Sequence, residues 1–316
     1  MEDRKKQAIL ILSHRNTLAL KSTIELLDSQ YFDFFLHIDK KSRIQDFFYL
    51  KKITKFSTIH FSERKNVHWG GFSMVEAMFA LLECARDTGE YSYFHFLSGD
   101  DMTIKDNEIV LKIFENSYPK NFIDILDFEN VNKNSYFYEP PEMIEERVKY
   151  YYPHMDILNR KGTNFIGKKL IYLQKLLKVN RLKNREIEIF KGHQWCSLTN
   201  QFVDILLDKE ERRVGKSYFS SSLIPDECYF QTFAMIKKVE IYQQKNMSAR
   251  LIDWTRGKPY IWRQDDFFEI MNDKDSMFSR KFDENVDRKI IEEIYIKIRG
   301  RSTDEANKIK DKRFTK

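Results

Sequence analysis

Cysteine is scarce. Cys84, Cys196 and Cys228 are the only three in 316 residues, and no CxxC or Cys/His ligand spacing accompanies them, so neither a disulfide framework nor a structural zinc site is expected. Ten glycines and six prolines are too few for a low-complexity linker or a fibrous repeat. No stretch of about eighteen uncharged apolar residues occurs, and Met1 to Lys6 is nearly all polar, so neither a membrane span nor a secretory signal is expected. The expectation is a soluble, cytoplasmic protein. Both phosphate-binding glycine fingerprints, GxGxxG and GxxxxGK[ST], are missing. An excess of one charge sign is also missing: 54 basic against 48 acidic residues leave +6, too mild to select a partner class. With no RRM, KH, zinc-finger or basic-region pattern, nucleic acid is not an expected partner.

What is present is apolar and aromatic: 42% hydrophobic and 15% aromatic residues. A compact fold of this length removes roughly three quarters of its unfolded surface from water, enough for a sizeable core. The apolar run Ala8 to Leu12 ends in the polar Ser13-His14-Arg15-Asn16, as a buried strand does on opening into a loop. Thr17 to Leu27 has helical spacing, and Phe32 to Ile38 is a second apolar run closed by Asp39. Strand, helix and strand in this order make a βαβ unit, hence a parallel sheet. The pattern returns in Ser73 to Cys84, with Val75, Met78, Phe79 and Leu82 on one helical face, followed by an aromatic strand, Tyr91 to Leu97, and the turn Ser98-Gly99-Asp100-Asp101. Ligands of open α/β sheets sit beyond the carboxyl ends of the strands, which gathers Ser13 to Asn16, Asp39 and Asp100-Asp101 on one rim.

The middle, from about Asn121 to Lys191, reads as irregular. It holds Pro140-Pro141, three consecutive tyrosines from Tyr150, and a basic amphipathic stretch from Phe165 to Arg181. Ile166, Leu170, Leu173 and Leu177, at helical spacing among lysines, fit either a core-facing helix with a solvated basic face or a helix lying on an anionic membrane. A last amphipathic helix is expected over Val286 to Ile298, with a mobile tail from Gly300.

Five separated segments, in order, are Leu10 to Arg15, His37 to Ser42, Val67-His68-Trp69-Gly70-Gly71-Phe72-Ser73 with Glu76-Ala77, Phe96 to Asp101, and Ile224-Pro225-Asp226-Glu227. A sixth is Met277-Phe278-Ser279-Arg280-Lys281-Phe282-Asp283. Together they resemble the core-2/I-branching β-1,6-N-acetylglucosaminyltransferase family, which includes the peptide O-xylosyltransferases. The resemblance implies an α/β fold of the GT-A type, with a central, mostly parallel sheet flanked by helices. It also implies inverting transfer from UDP-N-acetylglucosamine, or alternatively UDP-xylose, to a hydroxyl of a glycan or lipid-linked glycan. Bacterial surface polysaccharide synthesis is the implied setting, in which the basic amphipathic stretch would make peripheral contact with the membrane; a noncatalytic module on the same scaffold is the alternative. The expected division is a nucleotide-sugar half at 1–120, an acceptor and catalytic half at 121–285 with a basic helical insert at 154–190, and a C-terminal helix and tail at 286–316.

Residue by residue, the resemblance makes Glu227 the general base, with Asp226 orienting its turn. His14, Arg15, Asp39, Trp69 and Asp101 fall to the donor, and Lys281 with Arg256 or Arg263 to the diphosphate. Arg280, next to Lys281, is expected to point the other way along an extended segment. Arg147 and Trp195 fall to the acceptor. No cofactor is implied, since the family does without a metal. A divalent ion would draw on Asp100-Asp101, because the one D-x-D, Asp273-Lys274-Asp275, reads as a solvated turn.

Overall fold

A computed structural model describes residues 4–126, 133, 135–156, 160–183, 187–243 and 246–313. In chain order the elements are β1 (Gln7–Ser13), α1 (Leu18–Leu27), β2 (Phe32–Ile38), β3 (Ile59–Phe61), α2 (Ser73–Thr88), β4 (Tyr93–Ser98), β5 (Asp101–Thr103) and α3 (Asn107–Ser117). Then follow α4 (Pro141–Lys149), α5 (Arg160–Leu176), β6 (Ser197–Thr199), α6 (Asn200–Leu207), α7 (Lys209–Phe219) and α8 (Tyr229–Ile236). The chain closes with β7 (Arg250–Ile252), α9 (Phe267–Asn272), β8 (Phe278–Arg280) and α10 (Arg288–Arg313). The fold is α/β. Its main sheet has the order β3-β2-β1-β4-β6, parallel except for β6, and a small second sheet has the order β5-β8-β7.

The expected βαβ unit is present. Thr17 caps α1 by accepting a hydrogen bond from the Leu20 N–H, which satisfies a helix-end donor. Strand register levels the exits of β1, β2 and β4: Ser13 lies beside Ile38 and Leu12 beside Ser98. His14-Arg15, Asp39 and Asp100-Asp101 therefore leave the sheet along one edge. Both faces of the sheet are covered. Leu10, Phe35, Phe94 and Phe96 pack toward α2 and α8, and their alternates Ile9, Ile11, Phe34 and Leu36 pack with Val110, Leu111 and Phe114 of α3.

The second sheet and the reversed β6 are too short, at three residues each, to leave a periodic signal. A buried arginine joins the two sheets. Arg250 Nη1 donates to Ser197 Oγ (2.8 Å), Nη2 donates to the carbonyls of Cys196 (2.8 Å) and Phe96 (3.2 Å), and the guanidinium lies 4.8 Å over the Phe278 ring. Burial draws its pKa down to about 10.

Two expectations are corrected. Helix α10 does not stop near Ile298 but continues to Arg313, through a stretch that no proline interrupts. Nor does α5 face the core with Leu173 and Leu177, which are exposed; Ile171 instead packs on Tyr150, Tyr152 and Met155. Within the 154–190 insert, residues 157–159 and 184–186 lie outside the described residues, as do 314–316 of the tail. Among the described residues no helix is long and apolar enough to cross a membrane.

Candidate active site

A cleft of about 410 Å³ opens at the exits of β1 and β2, lined by His14, Asp39, Lys41, Ser42, Trp69 and Met74 among others. Asp39 is fixed at its floor: its N–H donates to the Ser13 carbonyl (2.9 Å) and its Oδ1 accepts from the Lys41 N–H (2.9 Å). Arg64 staples the turn from beneath through the carbonyls of Ile38 (2.9 Å) and Asp39 (2.7 Å). Trp69 is 59% exposed, so its ring is part of the cleft wall and not of the core. An aromatic face beside an anchored carboxylate can stack a base and accept hydrogen bonds from a ribose.

The next residue along the β1 exit, Arg15, leads to a cluster of charges. Its Nη2 donates to Asp100 Oδ1 (2.9 Å) and to Asp283 Oδ2 (3.1 Å). Lys281 Nζ lies 3.1 Å from the other oxygen of Asp100. Arg280 and Lys281 part company, although the segment is not extended through them, since β8 ends at Arg280 and the bond between the two is cis: Arg280 Nη1 donates to Asp101 Oδ1 (2.6 Å), and its guanidinium sits 4.5 Å over the ring of the buried Trp195. Asp101 also accepts from the Ser98 N–H and Oγ, both at 2.7 Å, which closes the turn. Asp101 and Trp195 thus brace the site from behind, and Arg15 and Lys281 are partly exposed cations at the rim. Among the described residues, no three His, Cys, Asp or Glu side chains converge as metal ligands. Asp273 Oδ1 caps its own turn by accepting from the N–H groups of Asp275 and Ser276.

Glu227 stands on a 3-10 turn, Pro225–Glu227, entered through Ile224 at φ +49°. A left-handed conformation at a β-branched residue is strained by about 1–3 kcal/mol and persists only where surroundings impose it. Here the Ile224 N–H donates to the carbonyl of Gly70 (2.8 Å), next to Trp69, and the Leu223 N–H donates to that of Arg147 (2.9 Å). The Glu227 turn is thereby locked to the wall of this cleft. Gly70 itself is left-handed at φ +78°, and beside it Asp156 accepts from the Phe72 and Ser73 N–H groups at the start of α2, in the space a side chain on Gly71 would fill. That accounts for the paired glycines.

Two carboxylates and two cations make up the Glu227 cluster. Arg147 Nη1 donates to Glu227 Oε2 (2.9 Å), while its Nε (3.1 Å) and Nη2 donate to Glu139. Lys191 Nζ lies 3.3 Å from Glu139 and 3.8 Å from the same Glu227 Oε2. Both oxygens of Glu139 are taken; Glu227 Oε1 has no hydrogen-bond partner among the described residues, and the side chain is 21% exposed. Burial opposes the charge of Arg147, but Glu227 and Glu139 outweigh it and hold its pKa above the ordinary value. Lys191 is shifted the other way, because burial there exceeds the pull of the same carboxylates. Arg147, expected on the acceptor, is in contact with Glu227. Nothing in the sequence marks Glu139 or Lys191; Lys191 opens the segment, Lys191 to Leu198, that also carries Trp195.

That segment ties the clusters together. The Gly192 N–H donates to the Glu227 carbonyl (2.9 Å), and any side chain at Gly192 would collide with the Asp124 carbonyl oxygen. His193, Phe137 and Trp254 form one aromatic cluster, with His193 4.0 Å from Phe137 and stacked 5.4 Å from Trp254, and Phe137 5.1 Å from Trp254; Trp195 meets Arg280. Arg256 lies elsewhere. Its guanidinium pairs with Asp253, Asp266 (2.8 Å) and Glu269 (3.0 Å), stacks 4.3 Å from Tyr260, and lines a different cavity of about 440 Å³ with Trp254 and Trp262. Arg263 is exposed, and its N–H donates to Asp266.

Asp226 is buried, and its Oδ1 has no partner among the described residues. Burial, reinforced by Glu227, pushes its pKa from 3.8 up to about 7. Between those values the native state keeps a proton that the unfolded chain has released, so this group's contribution to stability falls as pH rises through the window. Asp226→Asn, which cannot ionise, should therefore gain in melting temperature relative to the parent as pH is raised from about 4 to about 8. Parallel curves of melting temperature against pH would show that Asp226 does not titrate in this way.

The family model described as Core-2/I-Branching enzyme matches residues 8–278, ending just short of Lys281. Among solved structures, the apo form of mouse xyloside xylosyltransferase 1 is similar at 11% identity, with a TM-score of 0.40 over 87% of this chain and 96% of that one. The apo-form glycosyltransferase GlyE of Streptococcus pneumoniae TIGR4 is similar at 11% identity, with a TM-score of 0.28 over 66% of this chain and 44% of that one. No curated protein matches. With one family model spanning the cleft at Asp39 and Trp69, the Asp100 turn and Glu227, the chain belongs to the Core-2/I-Branching enzyme family and is a glycosyltransferase, acting between a nucleotide-sugar donor and a glycan acceptor.

Proposed function

We propose that the protein transfers N-acetylglucosamine from UDP-N-acetylglucosamine to a glycan hydroxyl with inversion, forming a β linkage. The observation that carries the reading is the Glu227 carboxylate, held through one oxygen by Arg147 and Lys191, with the other unengaged, on a turn bonded to the wall of the cleft. The nucleoside enters the cleft between Asp39 and Trp69, and the diphosphate reaches the rim where Arg15 and Lys281 share Asp100. The acceptor oxygen bonds to the sugar's C1 as the bond from C1 to the diphosphate oxygen breaks. Glu227 takes the acceptor proton, and the electron pair leaves with UDP.

Each step has a physical requirement. A base must come within about 3 Å of the proton it removes, and holding the reactants in line replaces the entropy of a chance encounter. The charge that develops on the departing UDP needs fixed positive groups. Lys281 and Arg15 supply them without a divalent ion.

A panel of UDP-sugars, incubated with oligosaccharide acceptors in excess chelator, tests the proposal. The expected result is UDP release with UDP-N-acetylglucosamine, undiminished by the chelator, and a β-configured product by proton NMR. Preference for another donor, an α product, or activity that returns only with added manganese would each overturn the corresponding part.

A further inference from the structure

Helix α5 turns an apolar face away from the protein. Tyr172, Leu173 and Leu176, with Leu177 just after the helix and still bonded to the Leu173 carbonyl (3.0 Å), are 67%, 51%, 61% and 68% exposed, and residues three and four apart share one side. Its opposite side is the one that is used. Ile171 packs on Tyr150 and Tyr152; the Gln174 side chain donates to the Tyr151 carbonyl (2.9 Å) and accepts from the Tyr151 N–H (2.8 Å); Lys175 pairs with Glu146 (2.7 Å). Lys168 on α5, and Lys178 and Lys183 just beyond its end, are exposed. Between Asp156 and Glu186 the sequence holds nine basic residues and no acidic one, more than the chain's whole net charge of +6, so the remainder is slightly acidic.

From this we infer that the α5 face docks on an anionic lipid surface, with the helix lying in the headgroup layer. Large apolar side chains between lysines, on a helix unable to span a bilayer, are the pattern of an interfacial helix. Charge complementarity selects the occupant. Two copies of this face would repel each other, whereas an anionic leaflet attracts each lysine.

The attachment also sets an orientation. Beyond α5, the Arg181 N–H donates to the Lys149 carbonyl (3.0 Å) and its Nη1 to that of Val148 (3.1 Å), which binds this segment to α4. Arg147 of α4 is the residue that holds Glu227. Docking therefore keeps the Glu227 side of the protein close to the lipid, where a glycan on a lipid carrier would be presented. The docking itself does not depend on the proposed chemistry, because vesicle binding is read without turnover.

Flotation of the full-length protein with vesicles tests the inference. Phosphatidylcholine mixed with phosphatidylglycerol should retain the protein about tenfold or more better than phosphatidylcholine alone, and raising the salt should release it. The double variants Leu173→Glu/Leu177→Glu and Lys168→Glu/Lys178→Glu should each bind the anionic vesicles about tenfold or more weakly, with donor hydrolysis in solution unchanged. No retention by anionic vesicles, retention indifferent to salt, or variants that bind like the parent would overturn the proposal. So would a concentration-dependent dimer that Leu173→Glu/Leu177→Glu dissolves, since it would assign the face to a second copy.

Discussion

Glu227→Gln is expected to lower turnover by about 10²-fold or more while UDP binding stays nearly constant. The amide keeps the shape of the carboxylate, and its oxygen can still accept from Arg147, so the buried guanidinium keeps a partner and the turn on Ile224 keeps its place. What it cannot do is take a proton from the acceptor. An interaction made only in the transition state shows as an equal loss in kcat and kcat/KM, and that is the pattern to look for. Glu139 provides the contrast. It sits in the same cluster, but both its oxygens are engaged by Arg147 and Lys191, so Glu139→Gln should act through the placement of Arg147 and reduce turnover far less. Unchanged turnover in Glu227→Gln, or a larger loss in Glu139→Gln, would remove Glu227 from the role of base.

Much of this arrangement was legible in the sequence, for reasons that differ by region. Strands β1, β2 and β4 are buried on both faces, so they read as continuous apolar runs, and the polar residues after each run marked the sheet edge before any coordinates did. The six motifs carried Trp69, Asp100 and Glu227 together because each is held by backbone geometry that only certain neighbours permit, such as Gly70 at positive φ beneath the Ile224 N–H. What stayed hidden depended on contacts across long separations. Arg147 and Glu227 are eighty residues apart, and nothing local distinguishes an arginine on α4 that binds a sugar from one that binds a carboxylate. Nor does anything local to Arg280 announce its contacts with Asp101 and Trp195, where it fixes the acidic turn. For α5 the helical spacing alone allowed two orientations, and the choice was made by Gln174 and Lys175 bonding to the α4 side.

Lys281→Ala should cost about 10²–10³ in kcat, the usual effect of deleting one preorganised donor aimed at developing negative charge. The lysine is partly exposed at the rim, and Asp100 fixes its ammonium at 3.1 Å without using all three of its N–H donors. Asp100 is shared with Arg15, so the two cations are held side by side by one carboxylate and need no reorganisation when a diphosphate arrives. Lys281→Met tests charge separately from stem packing and should be nearly as slow. Arg256 is the rival, and its surroundings predict a different outcome. To reach a phosphate it would have to leave Asp253, Asp266 and Glu269 together with the stack on Tyr260. Arg256→Ala should accordingly lower the melting temperature, by leaving those carboxylates without their cation, and change kcat much less than Lys281→Ala. If the order is reversed, with Arg256→Ala slow but stable and Lys281→Ala close to the parent, the diphosphate lies over the Trp262 cavity and the rim at Asp100 serves only to hold the two sheets in register.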